Sequence, residues 1–127
     1  MTRPGREHGA AVAEFTLISA LLAILFLAIL QMAFVVHVRN TLIASAAEGA
    51  RYAANANRTL ADGAARTEAL IAESLSPSLA RDVTSRMIDL DGAATVEVNV
   101  VTTLPLAGLL GVDRGLSVSG HAVAEIP

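Results

Sequence analysis

The chain has 127 residues, 54% of them hydrophobic and 17% charged, with a net charge of −3. All nine basic residues are Arg, set against twelve acids, which excludes the phosphate-neutralising surface that nucleic-acid binding needs. So much apolar material excludes a disordered chain, and the absence of Cys excludes disulfide scaffolds and Cys-type zinc or iron–sulfur sites.

The apolar excess is concentrated near the N-terminus. No charged residue occurs between Glu14 and Arg39, and the stretch from Phe15 to Val38 reads FTLISALLAILFLAILQMAFVVHV. About 20 apolar residues suffice to cross a hydrocarbon core of roughly 30 Å as a helix. A soluble core helix would show a polar face every 3.6 residues, and from Leu21 to Leu30 none appears. A transmembrane segment over about 15–38 follows. Arg3 and Arg6 on the short N-terminal side favour a cytoplasmic N-terminus, with the rest of the chain outside, although Arg39 weakens the asymmetry. Gln31 is the one amide in the run: either a tolerated polar residue or the donor of an interhelical contact worth about 1 kcal/mol.

Three readings of this N-terminus compete. A secretory signal peptide has Ala44-Ser45-Ala46 as its cleavage site, but the apolar run exceeds the usual 7–15 residues or so, and Arg39 interrupts the approach to that site. A plain membrane anchor explains the length and leaves Glu14 without a role beyond that of a helix-start acid near the positive end of the dipole. A carboxylate at the membrane edge costs a few kcal/mol and so asks for a reason. The third reading takes Gly9 and Glu14 together. The short basic stretch MTRPGREHG ends in Gly9; Ala10 follows, then a spacer, then Glu14-Phe15 and the uninterrupted apolar run.

That constellation resembles the type IV pilin and pseudopilin superfamily. The resemblance implies a leader over 1–9, cleavage by a prepilin peptidase between Gly9 and Ala10, and a new α-amino group on Ala10. It implies that Glu14, fifth in the processed chain and followed by Phe15, sets register by pairing with the amino group of a neighbouring subunit. Opposite charges about 4 Å apart attract by about 4 kcal/mol at an effective dielectric near 20, and desolvation takes part of that back. Within the superfamily the start GAAVAEF and the run Glu48-Gly49-Ala50-Arg51-Tyr52-Ala53-Ala54 resemble the TadE-like proteins of tight-adherence (Tad/Flp) pilus systems. The chain is too short for the larger TadG-type relatives and longer than a major Flp pilin, which points to a minor pseudopilin.

Helix formers continue past Arg39, with Leu42, Ala46 and Ala50 on one face, and Asn55 to Asn57 is the expected end of one helix running from about Ala10. Arg51 is expected to pair locally with Glu48, and Tyr52 to pack. Thr59 with Asp62 forms a capping box opening a second helix, whose buried face takes Leu60, Ala64, Thr67, Ile71 and Leu75, with Leu70 beside them. Ser76-Pro77 starts another short helix, with Leu79, Val83 and Met87 inward and Asp82 and Arg86 paired across one turn. The tail then alternates: Val96, Val98 and Val100 in one strand, Leu116, Val118, Gly120 and Ala122 in another. A long loop joins them as an antiparallel hairpin that must pack on a helix or a partner. The loop sequence LPLAGLLGV reads either as core filling or as a contact patch for another subunit or the membrane.

Few constellations suggest other chemistry. His8, His37 and His121 are far apart, and His121 with Glu125 is a pair without further ligands, so no metal and no cofactor are expected. No G-x-S-x-G elbow and no Gly-rich phosphate loop occurs, and Asn57-Arg58-Thr59 is a glycosylation sequon of a kind common by chance.

The expected fold class is therefore α+β: leader 1–9, a long helix over 10–57, and an exported head over 58–127. The expected function is that of a non-enzymatic, TadE-like minor pseudopilin in the cytoplasmic membrane. Its partners would be the prepilin peptidase, other pilin or pseudopilin subunits and the membrane, with no nucleic acid and no small-molecule substrate. The alternatives are an unprocessed single-pass partner-binding protein and an exported soluble protein cut after Ala46.

Overall fold

A computed structural model of the chain describes residues 4–104 and 114–125. Helix α1 runs Pro4–Ala54 and α2 Leu60–Ser74; a 3-10 turn, Pro77–Ala80, leads into strand β1, Asp82–Leu90, followed by β2, Ala93–Leu104, and β3, Arg114–Val123. The strands form one antiparallel sheet in the order β1-β2-β3. The α+β class expected from the sequence is the class observed. Two compact units make up the chain, residues 1–34 and residues 35–127.

The first unit is helix throughout its described length, and its apolar side chains lie open: Phe15 is 73% exposed and Leu17 70%. An 18-residue window here reaches a mean hydropathy of 2.6 with none of it buried. A surface so apolar is unfavourable in water and matches hydrocarbon. A long apolar N-terminal helix of this kind fits single-pass membrane anchoring.

The second unit has a core made from both helices and the sheet. Val38, Leu42, Ala46, Ala50, Ala53 and Ala54 of α1 are buried with Ile71 of α2, Val96, Val98, Val100 and Leu104 of β2, and Val118 of β3. The face expected for Leu42, Ala46 and Ala50 is the buried one, and α1 ends beside Asn55 as its sequence indicates. Thr59 caps α2 by accepting from the Asp62 amide at 3.1 Å, while the Asp62 carboxylate accepts from the Thr59 amide at 2.8 Å. The Asp62 carboxyl is lowered by these bonds, first the Thr59 amide and then its hydroxyl. Thr67 and Ile71 on α2 are buried, and Leu60, Ala64, Leu70 and Leu75 half-buried.

Small residues let these layers touch. Gly49 of α1 faces α2 so closely that a Cβ there would stand 1.7 Å from Thr67 Oγ1 and 2.7 Å from the Gly63 carbonyl oxygen. Thr67 itself donates to the Gly63 carbonyl at 2.9 Å, so its hydroxyl is satisfied within α2. On the other side β3 lies against the α1 backbone: a Cβ on Gly120 would meet the Ala47 nitrogen at 2.2 Å.

One expected element is corrected. The segment after Ser76-Pro77 does begin as expected, with Ser76 as N-cap and Pro at the start, but it is a four-residue 3-10 turn. From Asp82 the chain is strand, so Val83 and Met87 are not on a helix and Asp82 does not pair with Arg86. The reason lies in the next turn. Asp91 and Gly92 have φ of 53° and 85°, the two-residue positive-φ geometry that joins adjacent strands with their native twist. That turn fixes β1 onto β2, with Arg86 opposite Glu97 and Val83 opposite Val100. The expected hairpin of β2 and β3 is present, Val98 opposite Gly120, and β1 extends it to three strands. Of the apolar loop, Leu104 is buried; 105–113 lies outside the described residues.

Gly120→Ala should lower the urea midpoint of the detergent-solubilised protein by the equivalent of about 1–3 kcal/mol, the usual cost of overpacking against backbone. Gly115→Ala, where a Cβ meets nothing within 4 Å, should leave it within about 0.5 kcal/mol.

Candidate functional site: the N-terminal helix and the outer sheet face

Gly9, Ala10, Glu14 and Phe15 all lie on α1 and are exposed. Ala10 and Glu14 are four residues apart and so share a face of the helix. A Cβ on Gly9 would meet nothing within 4 Å, so packing does not require glycine there. Gly9 and Ala10 are helical here, so any enzyme that cuts between them in an extended conformation must first unwind this end of α1. Gln31, together with Ala28, stands out between residues 6 and 34 as half-buried where its neighbours are exposed.

The run that follows is assembled from short-range contacts. Arg51 Nη2 lies 3.0 Å from Glu48 Oε2, the local pair the sequence indicates, and the Arg58 guanidinium sits 4.6 Å from the centre of the Tyr52 ring. Gly49, between them, is the contact with α2 described above.

A second constellation, not anticipated in the sequence, crosses all three strands on the face of the sheet turned away from the core. Glu97 of β2 pairs with Arg86 of β1 on one side and His121 of β3 on the other. Arg86 Nε donates to Glu97 Oε1 at 2.7 Å, and His121 Nε2 lies 2.8 Å from Glu97 Oε2. One carboxylate thus ties both outer strands to the central one. His121 pairs with Glu97 and not with Glu125, because Glu125 lies beyond β3, its amide bonded to the Ala54 carbonyl at 2.8 Å. The alternation of polar residues placed Glu97 and His121 on exposed faces, and the Asp91-Gly92 turn was the signal that would have brought Arg86 opposite Glu97.

The His121 contact, and then Arg86, hold the Glu97 carboxyl below the ordinary glutamate value of 4.5. A carboxyl lowered in the folded state adds stability that is fully present above its unfolded value and is lost as pH falls through its folded one. Urea titrations of the protein in detergent should therefore show stability falling through the acid range, with a shallower fall in Glu97→Gln.

Among the described residues no group of three or more His, Cys, Asp or Glu is arranged to hold a metal ion. A groove between the 3-10 turn and β2 is lined by Ser78, Leu79, Arg81, Asp82 and Val101 to Thr103.

No curated protein and no solved structure matches the chain. A family model does: residues 9–51, from Gly9 through the apolar run to Arg51, match TadE-like protein, a family associated with the Tad pilus. The likeness to TadE-like proteins is one of the N-terminal helix, from Gly9 to Arg51.

Proposed function

We propose that the chain is a minor pseudopilin, released from its 1–9 leader by a prepilin peptidase and assembled through α1 into a Tad/Flp-type pilus or the complex at its base. The observation that carries this reading is that the TadE-like match begins at Gly9 and contains Glu14, Phe15 and the whole apolar run. Inserted with its N-terminus in the cytoplasm, α1 would expose the Gly9–Ala10 bond on that side and deliver the head outside. After cleavage the Ala10 ammonium would sit at the head of an apolar helix. In a packed bundle of such helices it would be drawn from water and would need an anion; Glu14 of a neighbour supplies one at a fixed axial offset. The pair selects register more than it adds stability, since desolvation of the two charges takes back part of their attraction.

The rival reading in which the chain is cut after Ala46 conflicts with the packing of the head. Val38, Leu42 and Ala46 are 1%, 0% and 0% exposed, and cleavage there would strip all three from the core. Losing one buried Leu side chain alone typically costs 2–5 kcal/mol or so, a large share of the stability of a small domain. An unprocessed anchor remains distinguishable by experiment.

Intact mass and N-terminal sequencing of protein extracted from the membranes of its native host should give a chain beginning at Ala10. A start at Met1 or Thr2 would make α1 a simple anchor, and a start at Ala47 would make it an export signal. Gly9→Val should hold the chain at full length while leaving the unfolding midpoint of the head unchanged. Glu14→Ala should be cleaved normally yet fail to assemble, measured as loss of this protein from sheared or purified pilus fractions. Unchanged incorporation of Glu14→Ala would remove the register role.

A further inference from the structure

The three-stranded sheet has two open edges, β1 and β3. Among the described residues, no backbone hydrogen bond outside the sheet reaches Asp82–Ile88 or Gly115–Val123. Free edges normally carry a guard such as Pro, Lys or an inward charge. β1 carries Asp82, Arg86 and Asp89, with Arg86 engaged by Glu97, and β3 begins with Arg114; from Gly115 to Val123 no Pro, Lys, Arg, Asp or Glu occurs, and His121 is engaged by Glu97.

Exposed apolar side chains of the head occur on α1 (Val36, Ile43), on β2 (Val101) and on both edge strands, where Met87 lies on one face of β1 and Leu90 and Val123 share the other. Leu90 on β1 is 52% exposed and Val123 on β3 65%. Ile88, Thr95 and Val123 form one row across the sheet, and Leu90 stands two residues beyond Ile88 on the same face. Apolar side chains thus stand at the same end, on the same face, at opposite edges. They cannot cover each other within one chain, because β2 lies between them. A second copy displaced sideways without rotation would bring Val123 of one chain against Ile88 and Leu90 of the next.

Direction decides which edges meet. β1 and β3 are both antiparallel to β2, so they run parallel to each other. A copy in the same orientation therefore offers β1 to β3 as a parallel pair. Pairing of two β3 edges would instead be antiparallel and would turn one copy end for end within the plane of the sheet. The apolar ends decide between them: in the parallel pair Val123 of one chain comes beside Ile88 and Leu90 of the next, whereas an antiparallel β3–β3 pair carries its two Val123 side chains to opposite ends of the contact. The crowding of copies in one membrane rests on the membrane-anchored reading above.

We propose that neighbouring copies associate edge to edge through their heads, β3 of one chain pairing in parallel with β1 of the next, with Val123 covered by Ile88 and Leu90. The contact is heterologous, so each chain uses one edge as donor and the other as acceptor, and copies related by sideways displacement alone form an open series.

The absence of native Cys makes the test direct. Ile88→Cys and Val123→Cys, which face each other in the proposed pair, are introduced singly and together in the full chain, and host membranes are oxidised with copper phenanthroline. Two strand spacings of roughly 4.8 Å separate the two positions within a chain, too far for an internal disulfide. The double variant should give a ladder of dimers, trimers and larger species, and each single variant should stay monomeric. Dimers from Val123→Cys alone would overturn the proposal in favour of β3–β3 pairing. Crosslinks of a mass that requires another protein would overturn it in favour of a different partner. A double variant that reacts with a soluble maleimide, showing both thiols accessible, yet forms no ladder would overturn it outright. N-terminal sequencing of the same bands separates the two readings: a ladder of chains beginning at Met1 would keep the edge contact and remove the pseudopilin assignment.

Discussion

The head depends on how closely α1 can approach what packs on it. Gly49 meets Gly63 and Thr67 of α2, and Ala46 and Ala47 meet Gly120 of β3, at distances that leave no room for a Cβ on any of the three glycines. Close approach brings the short side chains Ala46 and Ala50 within reach of the valines of β2, and a core of mostly small residues is filled without large aromatic groups. Aromatic residues are only 3% of the chain, so density has to come from proximity in place of bulk. The glycine inside α1, which costs about 1 kcal/mol in helix propensity, is explained by this contact.

The same helix serves two solvents. From Phe15 to Phe34 its side chains are nearly all exposed and apolar in nearly every direction, whereas from Val35 one stripe is buried and the opposite side carries Arg39, Asn40 and Arg51. The change from an all-round apolar surface to a one-sided one is the physical mark of passage from hydrocarbon to a folded domain in water. The TadE-like match spans both parts, ending at Arg51 just past the Gly49 contact. What is recognisable in this family segment is therefore both a membrane helix and the docking stripe on which a head is built.

Much of this was legible in the sequence where local rules act alone. The apolar run, the Thr59–Asp62 capping box, the face of Leu42, Ala46 and Ala50, and the alternation in β2 and β3 each follow from periodicity or cap chemistry. Asp82 to Leu90 was misread because Leu79, Val83 and Met87 fall at helical spacing, while the decisive signal, Asp91-Gly92, lies beyond the segment it governs. A two-residue turn acts on its neighbours by setting register, and register is invisible until both strands are recognised. The row Arg86–Glu97–His121 was missed for the same cause: its members are distant in sequence and become adjacent only once the turn has placed β1 on β2. Gly9, Ala10 and Glu14 stand differently, since their proposed roles concern an enzyme and neighbouring subunits, and a single chain places them on a helix without testing those roles.

The order in which the head can be completed follows from where its contacts come from. Val38 to Ala54 leave the ribosome early, yet the partners that bury them are spread to the end of the chain: Val118 and Gly120 in the last strand, and Glu125, whose amide bonds the Ala54 carbonyl. Contacts between such distant segments form only after the intervening chain has been ordered, and they dominate the folding barrier. The head thus has little reason to fold until the segment up to Glu125 is free to join α1. Completion of the head is therefore a late and all-or-none event, in which the last strand closes the core that the first helix began.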